Sequence, residues 1–189
     1  NPLDAVWRDQ PEAPMALVIP HDITFAGESS GDKRARLAQA MTAEAVVLTA
    51  PDSIAWLLNI RGGDVAHSPL PLSLAILHDD GRVDLFLEAA KRGRGLGDHL
   101  GNEVSLQPAD AFAGALDGLG KKSVQVDPGS AAAWVFERLA AAGAEIERGS
   151  DPCQLPKAIK NDVELAGARA SHSRDGAALT RFLHWLSVF

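Results

Sequence analysis

The four residues Arg61-Gly62-Gly63-Asp64 come closest to a recognition element in this chain. An arginine carries a permanent charge and a planar fork of donors that matches a carboxylate. Two glycines let a backbone turn sharply and approach a partner closely. An aspartate closing such a turn can bond the loop's own amides or pair with the arginine. Two readings stay open: a loop stapled by its own Arg61–Asp64 contact, or a loop whose Arg61 or Asp64 projects towards a neighbouring domain, a second subunit or a substrate.

Other candidate chemistry is thinner. The six histidines, His21, His67, His78, His99, His172 and His184, include no HExxH pair. His172 and His184 share an expected helix but lie roughly three turns apart, too far to hold one ion on their own. Asp79-Asp80 precedes a glycine and reads as a solvated turn. Gly93-Arg-Gly-Leu-Gly97 fails both the dinucleotide and the phosphate-loop patterns, and GxSxG is absent. Cys153 is the single cysteine, with no partner for an internal disulfide and no flanking histidine, so it reads as an inert thiol in a linker. No residue is expected to be catalytic or to bind a metal.

The elements that would hold these residues alternate. Ser29 or Ser30 caps a helix running to about Thr42, with Leu37, Ala40 and Met41 inward and Lys33, Arg34 and Arg36 towards water. Residues 44–49 read as a buried strand. Pro51 opens a helix over Ile54 to Leu58, with Asp52 a candidate cap. Residues 72–78 and 82–88 form an antiparallel pair around the Asp-Gly turn at Asp80-Gly81. Residues 89–101 suggest a helix broken by glycines. Strands follow at 104–107, 123–127 and 144–148, with a helix over 108–119 and another from Ser130 to Ala142 that buries Trp134, Val135 and Leu139. This order implies an α/β fold: a mixed β-sheet flanked by helices, followed by a C-terminal helical extension. In the extension, Asn161 and Glu164 have capping-box spacing at the head of a helix about 42 Å long. Near the start, Leu3 to Arg8 suggests a short helical turn.

The 189 residues are 46% apolar and 23% charged, enough for a sizeable core without disulfides or metal. The net charge is −7, and Lys33-Arg34 and Lys121-Lys122 are pairs rather than patches, which argues against nucleic acid or an acidic membrane as partner. No apolar run is long enough to cross a bilayer. A single thiol fits a reducing cytoplasm. The chain starts at Asn1 and stops inside an apolar helical pattern at Phe189, so a fragment of a longer protein is expected.

Three stretches together resemble one family. Residues 50–66, APDSIAWLLNIRGGDVA, with Pro69-Leu-Pro-Leu behind them, resemble the middle domain of Xaa-Pro aminopeptidase (aminopeptidase P) of the long three-domain kind. Residues 1–15 with Ile19-Pro-His21 resemble the joint between that family's first and second domains. Residues 151–186 resemble the entrance to its "pita-bread" catalytic domain. The resemblance implies an interdomain segment at 1–28, a creatinase N-terminal-like α/β domain at 29–149 and a truncated start of the catalytic domain at 150–189. It further implies a cytoplasmic parent enzyme, a homodimer, that removes the N-terminal residue from peptides with proline second. Its two divalent metals, manganese as a rule, would be held by an Asp, Asp, His, Glu, Glu set. Those ligands belong to sequence after the point where this chain stops, so none is carried onto a residue here. The partners implied are the missing catalytic domain or a second subunit, and Arg61, Gly62, Gly63 and Asp64 become an interdomain or interface loop.

Overall fold

The computed structural model describes residues 6–188, so the first half of the expected turn at Leu3 to Arg8 lies outside the described residues. The chain enters as an extended segment and forms β1 (Ile19–Pro20), then a one-turn helix α1 (Ile23–Ala26). Helix α2 (Ser30–Ala40) is capped by Ser29, whose Oγ accepts from the Asp32 amide at 3.0 Å. There follow β2 (Ala45–Leu48), α3 (Pro51–Leu57), β3 (Ile60–Arg61), β4 (Leu74–His78) and β5 (Val83–Phe86). A 3-10 turn at Ala89–Lys91 leads to α4 (Leu96–Leu100) and β6 (Val104–Gln107). Then come α5 (Phe112–Asp117), β7 (Ser123–Val126), α6 (Ala133–Ala142), β8 (Glu145–Arg148), α7 (Gln154–Ala158) and α8 (Asp162–Val188).

Six strands form one sheet in the order β6-β5-β4-β2-β7-β8, while β1 and β3 pair separately. Only β4 runs against its neighbours, because the Asp-Gly hairpin reverses the chain between β4 and β5. Gly81 holds φ +83° in that turn, a conformation glycine adopts without strain. The other pairings are parallel and use helical crossovers.

The pleat sorts the side chains between two cores. Val46 and Leu48 point to one face, with Leu37 of α2, the α3 residues Ile54 to Leu57, and Leu96 and Leu100 of α4. Ala45 and Val47 point to the other, against Phe112 and Leu116 of α5 and Val135 and Leu139 of α6. Val18 from the entering segment and Cys153 before α7 also pack into the first core.

Several local expectations change. Lys33 and Arg34 do not face water: they are 1% and 7% exposed, because each finds backbone acceptors inside the fold. Trp134 is 44% exposed. Val135 and Leu139 share the buried stripe at i, i+4, and one residue earlier is rotated off it. Ser130 does not cap α6, whose N-cap is Ala132; its Oγ accepts from Thr49 Oγ1 at 3.0 Å. Asp52 makes no cap bond and pairs with Lys157. Cys153 lies in the core rather than in a loose linker, and burial raises its thiol pKa, which keeps it protonated and unreactive.

Candidate functional site

The Arg61–Asp64 loop is positioned from below by a buried lysine. Where α3 ends, its carbonyls have no further turn to bond. Lys33 Nζ supplies the donor: it reaches Trp56 O at 3.0 Å and Asn59 Oδ1 at 2.7 Å, and lies 4.5 Å above the Trp56 ring. A cation there also opposes the negative end of the helix. Asn59 takes the left-handed conformation, φ 50°, that turns the chain out of α3, and its Nδ2 donates to Glu28 O at 2.9 Å. The next two residues can then pair as β3 with β1. Burial lowers the Lys33 pKa to about 8, against the pull of Glu164 and Glu28.

The loop's two charged residues go separate ways. Arg61 is half-buried, and its Nη1 donates to Ile60 O at 2.8 Å and Ala55 O at 3.3 Å, folding back over the end of α3. Burial lowers its pKa, partly countered by Glu164. Asp64 points inward with its carboxylate fully buried. Oδ1 accepts from the Ala16 amide at 3.0 Å; Oδ2 accepts from the Leu72 amide and from Lys91 Nζ, both at 2.8 Å. Burial alone would raise the Asp64 pKa, but Lys91 and the two amides together hold it below the ordinary carboxylate value. The expected Arg61–Asp64 staple is therefore not formed. Asp64 does bond backbone amides, as the other half of that expectation had it, but its cation is Lys91.

Gly62 and Gly63 sit between them. A side chain on Gly62 would lie 2.9 Å from Pro71, so the return strand of the loop passes where only glycine fits. Gly63 is exposed. Lys91 was not singled out from the sequence; it is 27 residues from Asp64, and no local pattern links the two.

Beside this loop α8 leaves the body of the fold. Its capping box is formed as the spacing predicts: Glu164 N donates to Asn161 Oδ1 at 2.9 Å, and Asn161 N donates to Glu164 Oε2 at 3.0 Å. The same asparagine donates from Nδ2 to Ala26 O at 2.8 Å, docking the first turn of α8 on α1. Gly27 closes α1 at φ +71°, and a methyl group there would overlap the Asn161 side chain. We expect Gly27→Ala to cost about 1–3 kcal/mol from the strained φ and the clash. A lower Tm, with a wider spread of α8 orientations by spin-label distance measurement, checks this. Past that turn no residue of α8 is buried; Phe182 and Leu186 are 53% and 57% exposed. A cavity of about 440 Å3 lies at its base, between Trp56, Arg36, Ile159 and Glu164.

The remaining candidates disperse. His78 Nε2 lies 2.9 Å from Asp84 Oδ2 across the hairpin, and His99 Nε2 lies 3.1 Å from Leu58 O. His21 stacks on Phe25, while His67, His172 and His184 are exposed. Asp80 pairs with Arg82 in its turn. Among the described residues no three His, Cys, Asp or Glu side chains are grouped so as to hold a metal ion. The residues present therefore do not fit the dinuclear centre that the resemblance attaches to the parent. No described helix is long and apolar enough to cross a membrane.

A mixed sheet between two helical layers, with a glycine loop and a projecting helix at one side, defines a class. Residues 9–164 match the Creatinase/Prolidase N-terminal domain, and the chain belongs to that family. Within it, the chain is 33% identical over 202 residues to a probable Xaa-Pro aminopeptidase P of Paracoccidioides brasiliensis, covering 98% of this chain and 33% of that protein. A probable Xaa-Pro aminopeptidase P of Aspergillus niger is 34% identical over 198 residues. Among solved structures, the X-prolyl aminopeptidase of Caenorhabditis elegans superposes with a TM-score of 0.88 at 27% identity, over 99% of this chain and 32% of that one. It is described as a cytosolic enzyme with a di-nuclear active site. The chain thus spans about a third of the length of the curated relatives it matches.

Proposed function

We propose that the chain is a non-catalytic module of a metal-dependent Xaa-Pro aminopeptidase, an enzyme that removes the N-terminal residue from peptides with proline second. The observation that carries this is similarity along 98% of the chain to aminopeptidases P of which it spans about a third. In this reading the α/β sandwich at 29–149 forms a wall of the catalytic cleft, 1–28 joins it to a preceding domain, and α8 is the first helix of the catalytic domain. Two divalent metals, manganese in our reading, are held by residues that follow this chain. The dinuclear, cytosolic C. elegans enzyme supports a metal pair and a cytoplasmic setting.

Arg61, Gly62, Gly63 and Asp64 serve as an interface element towards the catalytic domain or the second subunit of a homodimer. Asp64 anchors the loop from inside, and Arg61 and the glycines form its outer edge. The proline-containing peptide is a ligand of the assembled enzyme; nucleic acid and membrane are not partners. The apolar end of α8 supports a covering partner, because a helix with such a surface is marginal alone in water. That same surface would also suit a free-standing dimerisation module, the second reading.

The test uses the polypeptide in which this chain is continued to the full length of its relatives. We expect it to release the first residue of a Gly-Pro-Pro peptide only when a divalent metal is supplied. Cleavage restricted to Xaa-Pro dipeptides would move the parent to the prolidases. No peptidase activity with any divalent metal would favour the dimerisation module.

A further inference from the structure

The segment that enters the fold carries large apolar side chains outward. From Met15 to Ile19 the burial alternates: Ala16 is half-buried and Val18 fully buried, while Met15, Leu17 and Ile19 are each more than half exposed. An extended chain puts those three on one face, over about 13 Å. Ile23 and Phe25 of α1 follow, also more than half exposed. Single exposed apolar residues are ordinary, but these are five large ones within eleven residues. The one carboxylate among them, Asp22, is spent on the Thr24 amide as the cap of α1. At its Met15 end the row meets an apolar cavity of about 410 Å3, lined also by Leu72, Leu74 and Phe86.

The row is held too firmly to fold its side chains away. Ala16 N donates to Asp64 Oδ1 at 3.0 Å, Val18 N to Lys91 O at 2.7 Å and His21 N to Asn59 O at 2.8 Å. On one edge Ile19 and Pro20 pair with β3; on the other Val18 bridges Arg92. Gly93 lies so close to Val18 O that a side chain there would overlap it. A partner therefore meets a surface that is already ordered, and pays little to fix it. The neighbours narrow the partner. Ile19 stands opposite Arg61 in the ladder, so the row continues the outer edge of the Arg61–Asp64 loop. At its other end α1 packs on the first turn of α8, where Asn161 reaches Ala26 O. The residues that flank the row across its two edges are cations, Arg61 and Arg92. Two copies meeting across the row would gather four arginines along one seam, which like-charge repulsion opposes. An apolar face rimmed by carboxylates is the complementary surface.

We infer that Met15, Leu17, Ile19, Ile23 and Phe25 form a docking strip for the catalytic domain of the same polypeptide, which lays an apolar face with a carboxylate rim across it. The inference rests on the aminopeptidase reading above. The C. elegans enzyme superposes on 99% of this chain with 32% of its own, so the greater part of such an enzyme lies outside this fold. In that reading the catalytic domain follows α8, whose base is fixed beside α1, so the domain is tethered within reach of the strip. A large apolar side chain of that domain enters the cavity at Met15, and carboxylates at its rim meet Arg61 and Arg92.

The test compares this chain with the same chain continued to the full length of its relatives. Leu17→Cys and Phe25→Cys place a thiol on the strip, and Cys153 is buried and does not compete for a maleimide reagent. Labelling of each thiol is read by peptide mass spectrometry. We expect both thiols to react at least about tenfold more slowly in the full-length polypeptide, the ratio set by opening of the docked interface. Leu17→Asp leaves the Tm of this chain unchanged, because the side chain is more than half exposed. In the full-length polypeptide it returns Phe25→Cys to fast labelling. A benzophenone maleimide on the Leu17→Cys thiol, irradiated in the full-length polypeptide, crosslinks to sequence beyond Phe189. Three results would overturn the assignment: equal labelling rates in the two polypeptides, crosslinks to sequence before Asn1 alone, or crosslinks between two copies. None of them bears on whether the full-length polypeptide cleaves a Gly-Pro-Pro peptide with a divalent metal, so failure of the docking and failure of the aminopeptidase reading are told apart.

Discussion

Asp64→Asn is expected to lower the unfolding free energy by about 3–5 kcal/mol, because it leaves the buried Lys91 ammonium without its counter-charge. The carboxylate is completely buried and Lys91 nearly so, so water cannot replace the lost partner. Urea denaturation of the purified chain measures the change. The double variant Asp64→Leu/Lys91→Met removes the unpaired charge but recovers only part of the loss. Asp64 also accepts from the Ala16 and Leu72 amides, and both lose that acceptor. The same pair makes an acid limit. The Asp64 pKa is depressed in the folded chain, so its contribution is complete above the ordinary carboxylate value and is lost as pH falls through the folded one. Because Ala16 hangs on this carboxylate, the segment before β1 should become a protease site in the variant. A variant as stable and as protease-resistant as the parent chain would show that the pair does not organise the loop.

Lys33→Met is expected to cost about 2–3 kcal/mol, since Asn59 Oδ1 loses its donor inside the fold and Trp56 O is left with the Asn59 amide at 3.4 Å. Methionine keeps most of the aliphatic length, so the loss measures the ammonium rather than a cavity. A pH dependence separates this residue from others. The folded pKa, about 8, lies below the ordinary lysine value. Between those two values the unfolded chain holds a proton that the folded chain has released, so stability rises with pH across that window. Tm measured from pH 8 to 10 should climb more steeply in the parent chain than in Lys33→Met. Parallel curves would mean that Lys33 stays charged across the window in both states.

The two lysines in these predictions were the residues least legible from sequence. Lys33 lies in a helix whose apolar stripe is Leu37 with its neighbours, so a lysine there reads as solvent-facing. Its acceptors lie 23 and 26 residues further on, at the end of another helix, and nothing local announces them. Lys91 is hidden in the same way behind 27 residues. Features whose cause is local fared better. The Asn161–Glu164 box is complete within three residues, and the Asp-Gly hairpin sets its own reversal. The four-residue strand β2 was readable as an apolar run because the sheet is covered on both of its faces there. The antiparallel placement of β4 followed from the turn that precedes β5. Trp134 shows the limit of reading by composition: a large aromatic invites burial, yet the helical period puts Val135 and Leu139 on the inner face instead.

The proposed role gives α8 a definite fate. It is 27 residues long, about 40 Å, and only its first turn is docked. Everything that fixes its direction, Asn161 on Ala26, Gly27 and the Glu164 charge facing Lys33 and Arg61, gathers at the base beside the Arg61–Asp64 loop. A partner that covers α8 therefore meets that loop as well, which is why the two are assigned to one interface.

The central claim is that this polypeptide shapes a peptidase without carrying its chemistry. The direct measurement is hydrolysis of a Gly-Pro-Pro peptide by the purified 189-residue chain with manganese supplied in excess, run beside a manganese titration by calorimetry. The account predicts no release of glycine above the uncatalysed rate and no tight stoichiometric uptake of the metal. Saturable turnover, with two manganese ions bound per chain, would contradict it.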